Sequence, residues 1–213
     1  GRVMFETKLV SMAFSDNKLK SITVETANGD EIIETDNVIL AIGHSARDTF
    51  LMLQNRNIAM EQKSFSVGAR IEHSQEMINK SQYDKAYKKL PAADYKMAVH
   101  LESGRGVYTF CMCPGGRVVA SASEDGGVVT NGMSYFARDG KNANSALLVN
   151  VTPSDFKTDD PLAGMYFQRE IEQRAFEVGG KNYNAPCQRV GDFLGTESNS
   201  EYTVEPTYKP NVT

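Results

Sequence analysis

The stretch Asp36-Asn-Val-Ile-Leu-Ala-Ile-Gly-His-Ser-Ala-Arg-Asp48 constrains the fold of this chain more than any other. A short apolar run, residues 38–42, stops at Gly43 and gives way to polar residues that read as a helix start. Such a run suits a buried strand in the middle of a parallel sheet. Glycine at its carboxyl end permits a sharp turn or the close approach of a ligand, because no Cβ intervenes. Ligands of open α/β sheets bind beyond the carboxyl ends of the strands, which makes Gly43 and His44 candidate ligand contacts. A plain strand–loop–helix connection has the same local pattern.

What precedes this run reads as a meander. Residues 3–14 are rich in β-formers, Ser15-Asp16-Asn17-Lys18 supplies turn chemistry, and residues 19–26 form a second run. Asn28-Gly29 predicts a two-residue type I′ hairpin turn, and residues 31–35 return as a third strand. A meander feeding a glycine-ended strand is the order found in the FAD domain of two-dinucleotide-binding flavoproteins. There the meander replaces a crossover helix, and the opening of this chain resembles the later part of such a domain.

A length of 213 residues allows one domain or a domain and a half. A net charge of −4 and the lack of a basic stripe argue against a nucleic-acid or anionic-membrane surface. No apolar run approaches the roughly 20 residues that span a bilayer, and no signal peptide is read. Three cysteines without framework spacing point to a reducing compartment, so the expected location is cytoplasmic. Gly1 in place of Met, almost inside a strand, predicts an internal piece of a longer chain.

After Gly43, residues 46–57 read as a short helix and residues 65–71 alternate as a strand. Ser74 is placed to cap a helix running to about Ser81. Residues 83–95 are a lysine-rich surface excursion, while residues 96–101, 106–113, 118–123, 128–131 and 146–151 read as β. Asp160-Pro161 opens the clearest helix, with Leu162, Met165, Phe167, Ile171, Ala175 and Val178 as its apolar stripe and Gly179-Gly180 as its stop. The tail from Glu197 reads as a linker.

Two segments carry candidate chemistry. Phe110-Cys-Met-Cys-Pro-Gly-Gly116 exposes backbone N–H groups and allows close approach to a planar or anionic ligand, so Cys113, Pro114, Gly115 and Gly116 are candidate cofactor contacts. The same pattern suits a tight turn with small buried thiols. Residues 132–145 hold small and amide side chains around Arg138-Asp139. From these, Arg138 and Asn144 are candidates for gripping a carboxylate or carbonyl oxygens; a hydrogen-bonded loop is the alternative. His44 could donate to a phosphate or act as acid or base. Arg47 and Arg70 could face an anion or form surface ion pairs.

Three segments together resemble a known family. They are residues 38–48, the run from Phe110 through Val128-Val-Thr-Asn-Gly-Met-Ser-Tyr-Phe-Ala-Arg-Asp-Gly140, and the helix after Pro161 leading to Ala185-Pro-Cys-Gln-Arg-Val-Gly-Asp-Phe-Leu194. The chain resembles the uncharacterised bacterial FAD-dependent dehydrogenases, also labelled NAD(FAD)-utilising dehydrogenases. The resemblance implies an α+β or α/β fragment. A partial FAD-binding domain over 1–60 (meander, strand, helix) joins an inserted mixed-sheet capping and substrate domain over 61–195, and 196–213 link back to the FAD domain. It further implies FAD as cofactor, NAD(P)H as electron donor and a small-molecule substrate. Gly43 and His44 would border the dinucleotide, Cys113–Gly116 would lie on the substrate side, and Arg138 and Asn144 would meet an anionic substrate or flavin carbonyls.

The family's amino-terminal Gly-x-Gly-x-x-Gly turn, which seats the pyrophosphate on a helix N-terminus, has no match here. The isolated chain is therefore expected to bind FAD weakly or not at all. Two other classes stay open on the residues alone. One is a non-catalytic α+β binding or interaction module with a structural Cys-x-Cys loop. The other is a thiol-redox or zinc module built on Cys111, Cys113, Cys187 and a histidine.

Overall fold

Two hairpins in series build the amino-terminal part of the chain. Strands β1 (Lys8–Ser15), β2 (Lys18–Thr26) and β3 (Gly29–Glu34) form an antiparallel sheet in the order β1-β2-β3. Asp16 and Asn17 stand at φ +52° and +58° between the paired Ser15 and Lys18, so the turn with two left-handed residues is this one. The expected type I′ turn at Asn28-Gly29 is instead a loop of Ala27 and Asn28, neither at positive φ, closed by the pair Thr26 and Gly29. Thr26 supports it with its hydroxyl, which donates to Gly29 O at 2.8 Å and accepts from Asn28 N at 3.2 Å.

The computed structural model describes residues 1–196 and 201–212, which divide into two units. The first comprises residues 1–62 and 160–165. Its buried apolar residues are Met12, Val24 and Leu53, the last on helix α1 (Arg47–Asn55), together with Leu162 and Ala163. Arg47, one of the two arginines that could have faced an anion, is buried at the start of that helix. Asp160 is held in this unit by the Gln54 and Gln62 side-chain amides, which donate to its carboxylate and carbonyl at 3.0 and 2.9 Å.

Residues 38–42 overturn the expectation of a buried strand. They pair with no strand among the described residues, and Ile39, Leu40 and Ile42 are 94%, 40% and 36% exposed. A central parallel strand exists only through the ladders of its two neighbours, and the first unit offers it none.

The second unit, residues 63–159 and 166–213, is built on an antiparallel sheet in the order β4-β9-β6-β5. Its strands are β4 (Phe65–Ser74), β5 (Ala98–His100), β6 (Gly106–Cys113) and β9 (Asn142–Val151). Helix α2 (Gln75–Tyr83) follows β4 directly; Ser74 holds the cap position with extended backbone but makes no side-chain cap bond. The hairpin of β7 (Gly116–Ser121) and β8 (Val129–Ser134) continues from the loop after β6. Much of the segment read as a possible loop, residues 132–145, is therefore strand at both ends.

Helix α3 (Ala163–Val178) begins two residues after Pro161, and Gly180 at φ +92° ends it. Its apolar stripe is less deeply set than the periodicity predicts: Ile171 and Val178 are 45% and 40% exposed, whereas Glu172 is buried. Phe167 does pack, against Phe65 and Phe156 with ring centroids 6.4 and 5.8 Å away. Arg169 grips Glu124 with two hydrogen bonds of 2.8 and 2.7 Å, and Val128 N donates to Glu172 O at 3.0 Å. These bonds tie the β7–β8 turn to the helix.

The short strands β10 (Pro186–Cys187) and β11 (Asn211–Val212) pair in parallel, with helix α4 (Val190–Phe193) between them in sequence. Part of the segment read as a linker, residues 197–200 and 213, lies outside the described residues. The rest is tied to the second unit: Glu205 N donates to the Glu72 carboxylate at 2.9 Å and Thr207 N to Val118 O at 2.9 Å. The whole is an α+β arrangement.

Candidate functional site

Strand alternation sorts the central ladder of the second unit onto two faces. Opposite residues of an antiparallel pair share a face. The partners Arg70↔Ala146, Glu72↔Asn144 and Ser74↔Asn142 therefore put Arg70, Glu72, Asn142 and Asn144 on one side, and Ile71↔Ser145 with His73↔Ala143 on the other. Cys113 faces Asn144 from β6 and joins the first group.

Arg70 is the centre of that group. Its Nη1 donates to Asn144 Oδ1 at 2.5 Å, and Nη1 and Nη2 both donate to the Cys111 carbonyl, at 3.2 and 3.1 Å. The Cys113 thiol lies 3.7 Å from the same Nη1. A bulge makes this possible. Between Phe110 and Cys113 β6 spends one residue more than β9, and Cys111 sits there at φ +48°. A non-glycine residue in the left-handed region costs about 1 kcal/mol or more; here it turns a strand carbonyl toward a guanidinium.

Asn144 is wholly buried, and its Nδ2 has no partner among the described residues. Asn142, also buried, donates from Nδ2 to Glu72 Oε1 at 3.0 Å and to Thr203 O. Gly132 on β8 completes the packing: a Cβ there would lie 1.9 Å from Arg70 Nη1 and 2.2 Å from Asn144 Oδ1.

The Pro114-Gly115-Gly116 loop is buried. Gly115 stands at φ +53°, its N–H donates to Gln75 Oε1 at 2.7 Å, and the space beside its Cα is filled by Arg138 O, 2.0 Å from an ideal Cβ. Ser134 Oγ donates to Pro114 O at 2.7 Å. The small residues of this loop thus let two backbone segments pack closely. Arg138 itself stands at φ +51° with an exposed side chain.

On the opposite face, His73 Nε2 lies 2.7 Å from Tyr95 OH. Burial pushes the His73 imidazole below its ordinary pKa and the Tyr95 phenol above its own. Burial likewise raises the Cys113 and Cys187 thiols, so neither is an activated thiolate. None of the three cysteines is in a disulfide among the described residues. Among the described residues no three His, Cys, Asp or Glu side chains are grouped to hold a metal. No helix among the described residues is long and apolar enough to cross a membrane.

In the first unit, Gly43 stands at φ +69° with open space where a Cβ would project. His44 beside it is exposed, its Nε2 3.3 Å from Ser45 Oγ. Of the predicted residues, the second unit brings Cys113 and Asn144 together through Arg70. Arg138 meets the loop only through its backbone, and Gly43 and His44 belong to the other unit. Gln75, Tyr95 and Ser145 were missed; alternation along β4 and β9 was the one signal that could have grouped Ser145 with His73.

The chain is similar to an uncharacterized protein of Clostridium beijerinckii (strain ATCC 51743 / NCIMB 8052). The two are 54% identical over 197 residues, which covers 91% of this chain and 36% of that protein. The chain thus spans about a third of the length of the curated relative it matches. Residues 64–213 match the family described as FAD-dependent protein, C-terminal domain-like. That match takes in most of the chain, including the whole Arg70–Asn144 cluster and the buried glycine loop, and the chain belongs to this FAD-dependent family.

Proposed function

We propose that this chain is part of an FAD-dependent oxidoreductase, a dehydrogenase of the cytoplasm, and supplies the domain that caps the flavin and binds a small-molecule substrate. The observation that carries the reading is the family match over residues 64–213. The residues present fit one edge of a dinucleotide. Gly43 leaves its Cβ side open, and His44 is exposed beside it with two ring nitrogens able to donate or accept. The bulk of such a cofactor needs a phosphate-binding turn, which this stretch of sequence lacks.

When bound, FAD supplies the acceptor for two electrons and a proton. The chain's own residues do the positioning. Gly43 and His44 border the dinucleotide, and Cys113, Pro114, Gly115 and Gly116 lie on the substrate side. Arg138, whose backbone carbonyl packs against Gly115, extends its side chain toward solvent as a cation for an anionic substrate. Asn144 acts through Arg70, because its own oxygen is already engaged by the guanidinium. The electron donor in this reading is NAD(P)H.

Purified full-length protein tests the reading directly. Flavin absorbance in the isolated protein, or saturable FAD uptake on titration, is the expected result, with bleaching on addition of NADH or NADPH. A colourless full-length protein that takes up no FAD overturns it.

A further inference from the structure

Arg70 carries five N–H donors in a fixed planar fork. The Cys111 carbonyl takes the end-on pair and Asn144 Oδ1 takes the outer Nη1 hydrogen. Nε–H and the outer Nη2 hydrogen have no partner among the described residues, and these two form the parallel edge that matches a carboxylate or phosphate. The residue is half-buried, and both groups that hold it are backbone or buried side chain, so the fork is set before any ligand arrives. Preorganisation of this kind lowers the entropic cost of binding.

Two neighbours narrow the ligand. Glu72 stands two residues along the same face of β4. A second negative charge on the ligand would meet that carboxylate, so the cluster favours a monoanion over a phosphate dianion. The other neighbour is Phe110, which shares the Arg70 row through Ala146 and is 57% exposed. The guanidinium already reaches across β9 to Cys111, the residue next to Phe110. An exposed aromatic ring beside an open guanidinium edge suits a carboxylate carried on an apolar body.

We infer that Arg70 is the receptor for a substrate monocarboxylate with an apolar or aromatic body, its free guanidinium edge taking the carboxylate and Phe110 the body. Asn144 and the Cys111 carbonyl are positioning groups for Arg70. The inference deepens the substrate side of the function proposed above and rests on that reading only for calling the ligand a substrate.

Calorimetric titration of the full-length protein with benzoate, acetate and inorganic phosphate tests it. Benzoate is expected to saturate and to bind at least tenfold more tightly than acetate or phosphate. Arg70→Lys, which keeps the charge but loses the fork, is expected to weaken benzoate at least tenfold. Phe110→Ala, a change at an exposed residue, is expected to bring benzoate to the level of acetate. Absence of benzoate binding, phosphate binding tighter than benzoate, or unchanged benzoate affinity in a folded Arg70→Lys protein each overturns the inference. Flavin absorbance of the same samples separates the two readings. Benzoate binding without flavin sinks the flavoprotein reading alone, and flavin without benzoate binding sinks the carboxylate receptor alone.

Discussion

Gln75 Oε1 accepts the backbone N–H of Gly115 at 2.7 Å, joining the first residue of helix α2 to the middle of the buried glycine loop. The amide nitrogen of the same side chain donates to Ala93 O and Asn79 Oδ1, both at 2.8 Å, and Asn79 Oδ1 in turn accepts from Ala93 N. Gln75 is 5% exposed, so water cannot replace these bonds.

Gln75→Ala strands the Gly115 N–H and the Ala93 carbonyl. Each buried polar group left unsatisfied costs about 1–3 kcal/mol, so the variant is expected to lose about 2–6 kcal/mol. Urea unfolding reads this as a lower midpoint with an unchanged slope. A midpoint within error of the parent protein would show that the loop does not depend on this side chain.

Two strand glycines should answer differently to the same substitution. At Gly68 on β4 a Cβ would lie 1.8 Å from Leu147 O, a backbone atom of the paired strand that cannot yield without breaking the ladder. At Gly106 on β6 the nearest atom is the Asn150 side-chain nitrogen at 3.5 Å, an ordinary contact. Gly68→Ala is expected to destabilise by about 1–3 kcal/mol through overpacking. Gly106→Ala should be neutral or stabilising by about 0.4–1 kcal/mol, because it restricts the unfolded chain. Paired thermal melts decide; equal shifts for the two variants would contradict the geometry.

The strands were legible in the sequence wherever alternation and a turn bounded them, as at β2, β4 and β6. Residues 38–42 show where that reading fails. Local apolarity signals a wish for burial, yet burial needs a partner, and a run of five residues carries no information about one. The type I′ turn was misplaced for a similar reason. Pairing of Thr26 with Gly29 fixes which residues form the loop, and a dipeptide preference does not report register. The site was half legible. Cys113 and Asn144 stood out by type, but Arg70 meets Asn144 across 74 residues of chain and Cys111 across 41, and only the β4-β9-β6 order brings them together.

Acid should act on the Arg105–Asp155 pair. Arg105 donates to both Asp155 oxygens, the Nη1 bond measuring 3.0 Å, and Thr152 N donates to Asp155 Oδ2 at 2.8 Å. The Arg105 hydrogen bonds, followed by that from Thr152, pull the carboxyl from its ordinary 3.8 down to about 2. A carboxylate whose folded pKa is depressed contributes stability above the unfolded value and loses it as pH falls toward the folded one. The contribution is therefore intact above about pH 4 and gone near about pH 2. Asp155→Asn is expected to flatten this part of the acid-unfolding profile, measured by circular dichroism. A variant with the same acid slope as the parent would remove the pair from the account.

His73 should give a second, separate window at higher pH. Its imidazole is half-buried, bonded to Tyr95 OH, and lowered from its ordinary value of 6.5 chiefly by burial. In the folded protein it stays neutral through a range where the unfolded chain takes up a proton. The unfolded state then binds more protons, so stability rises with pH across that range. Stability is complete above about 6.5 and declines as pH falls below it, until the folded imidazole itself protonates. Replacing the ring by His73→Gln removes the titration while leaving a side chain able to bond Tyr95. Urea midpoints taken between about pH 8 and about pH 5 should fall for the parent and stay level for the variant, before the Asp155 window opens. Parallel curves for the two proteins would mean that another group governs this range.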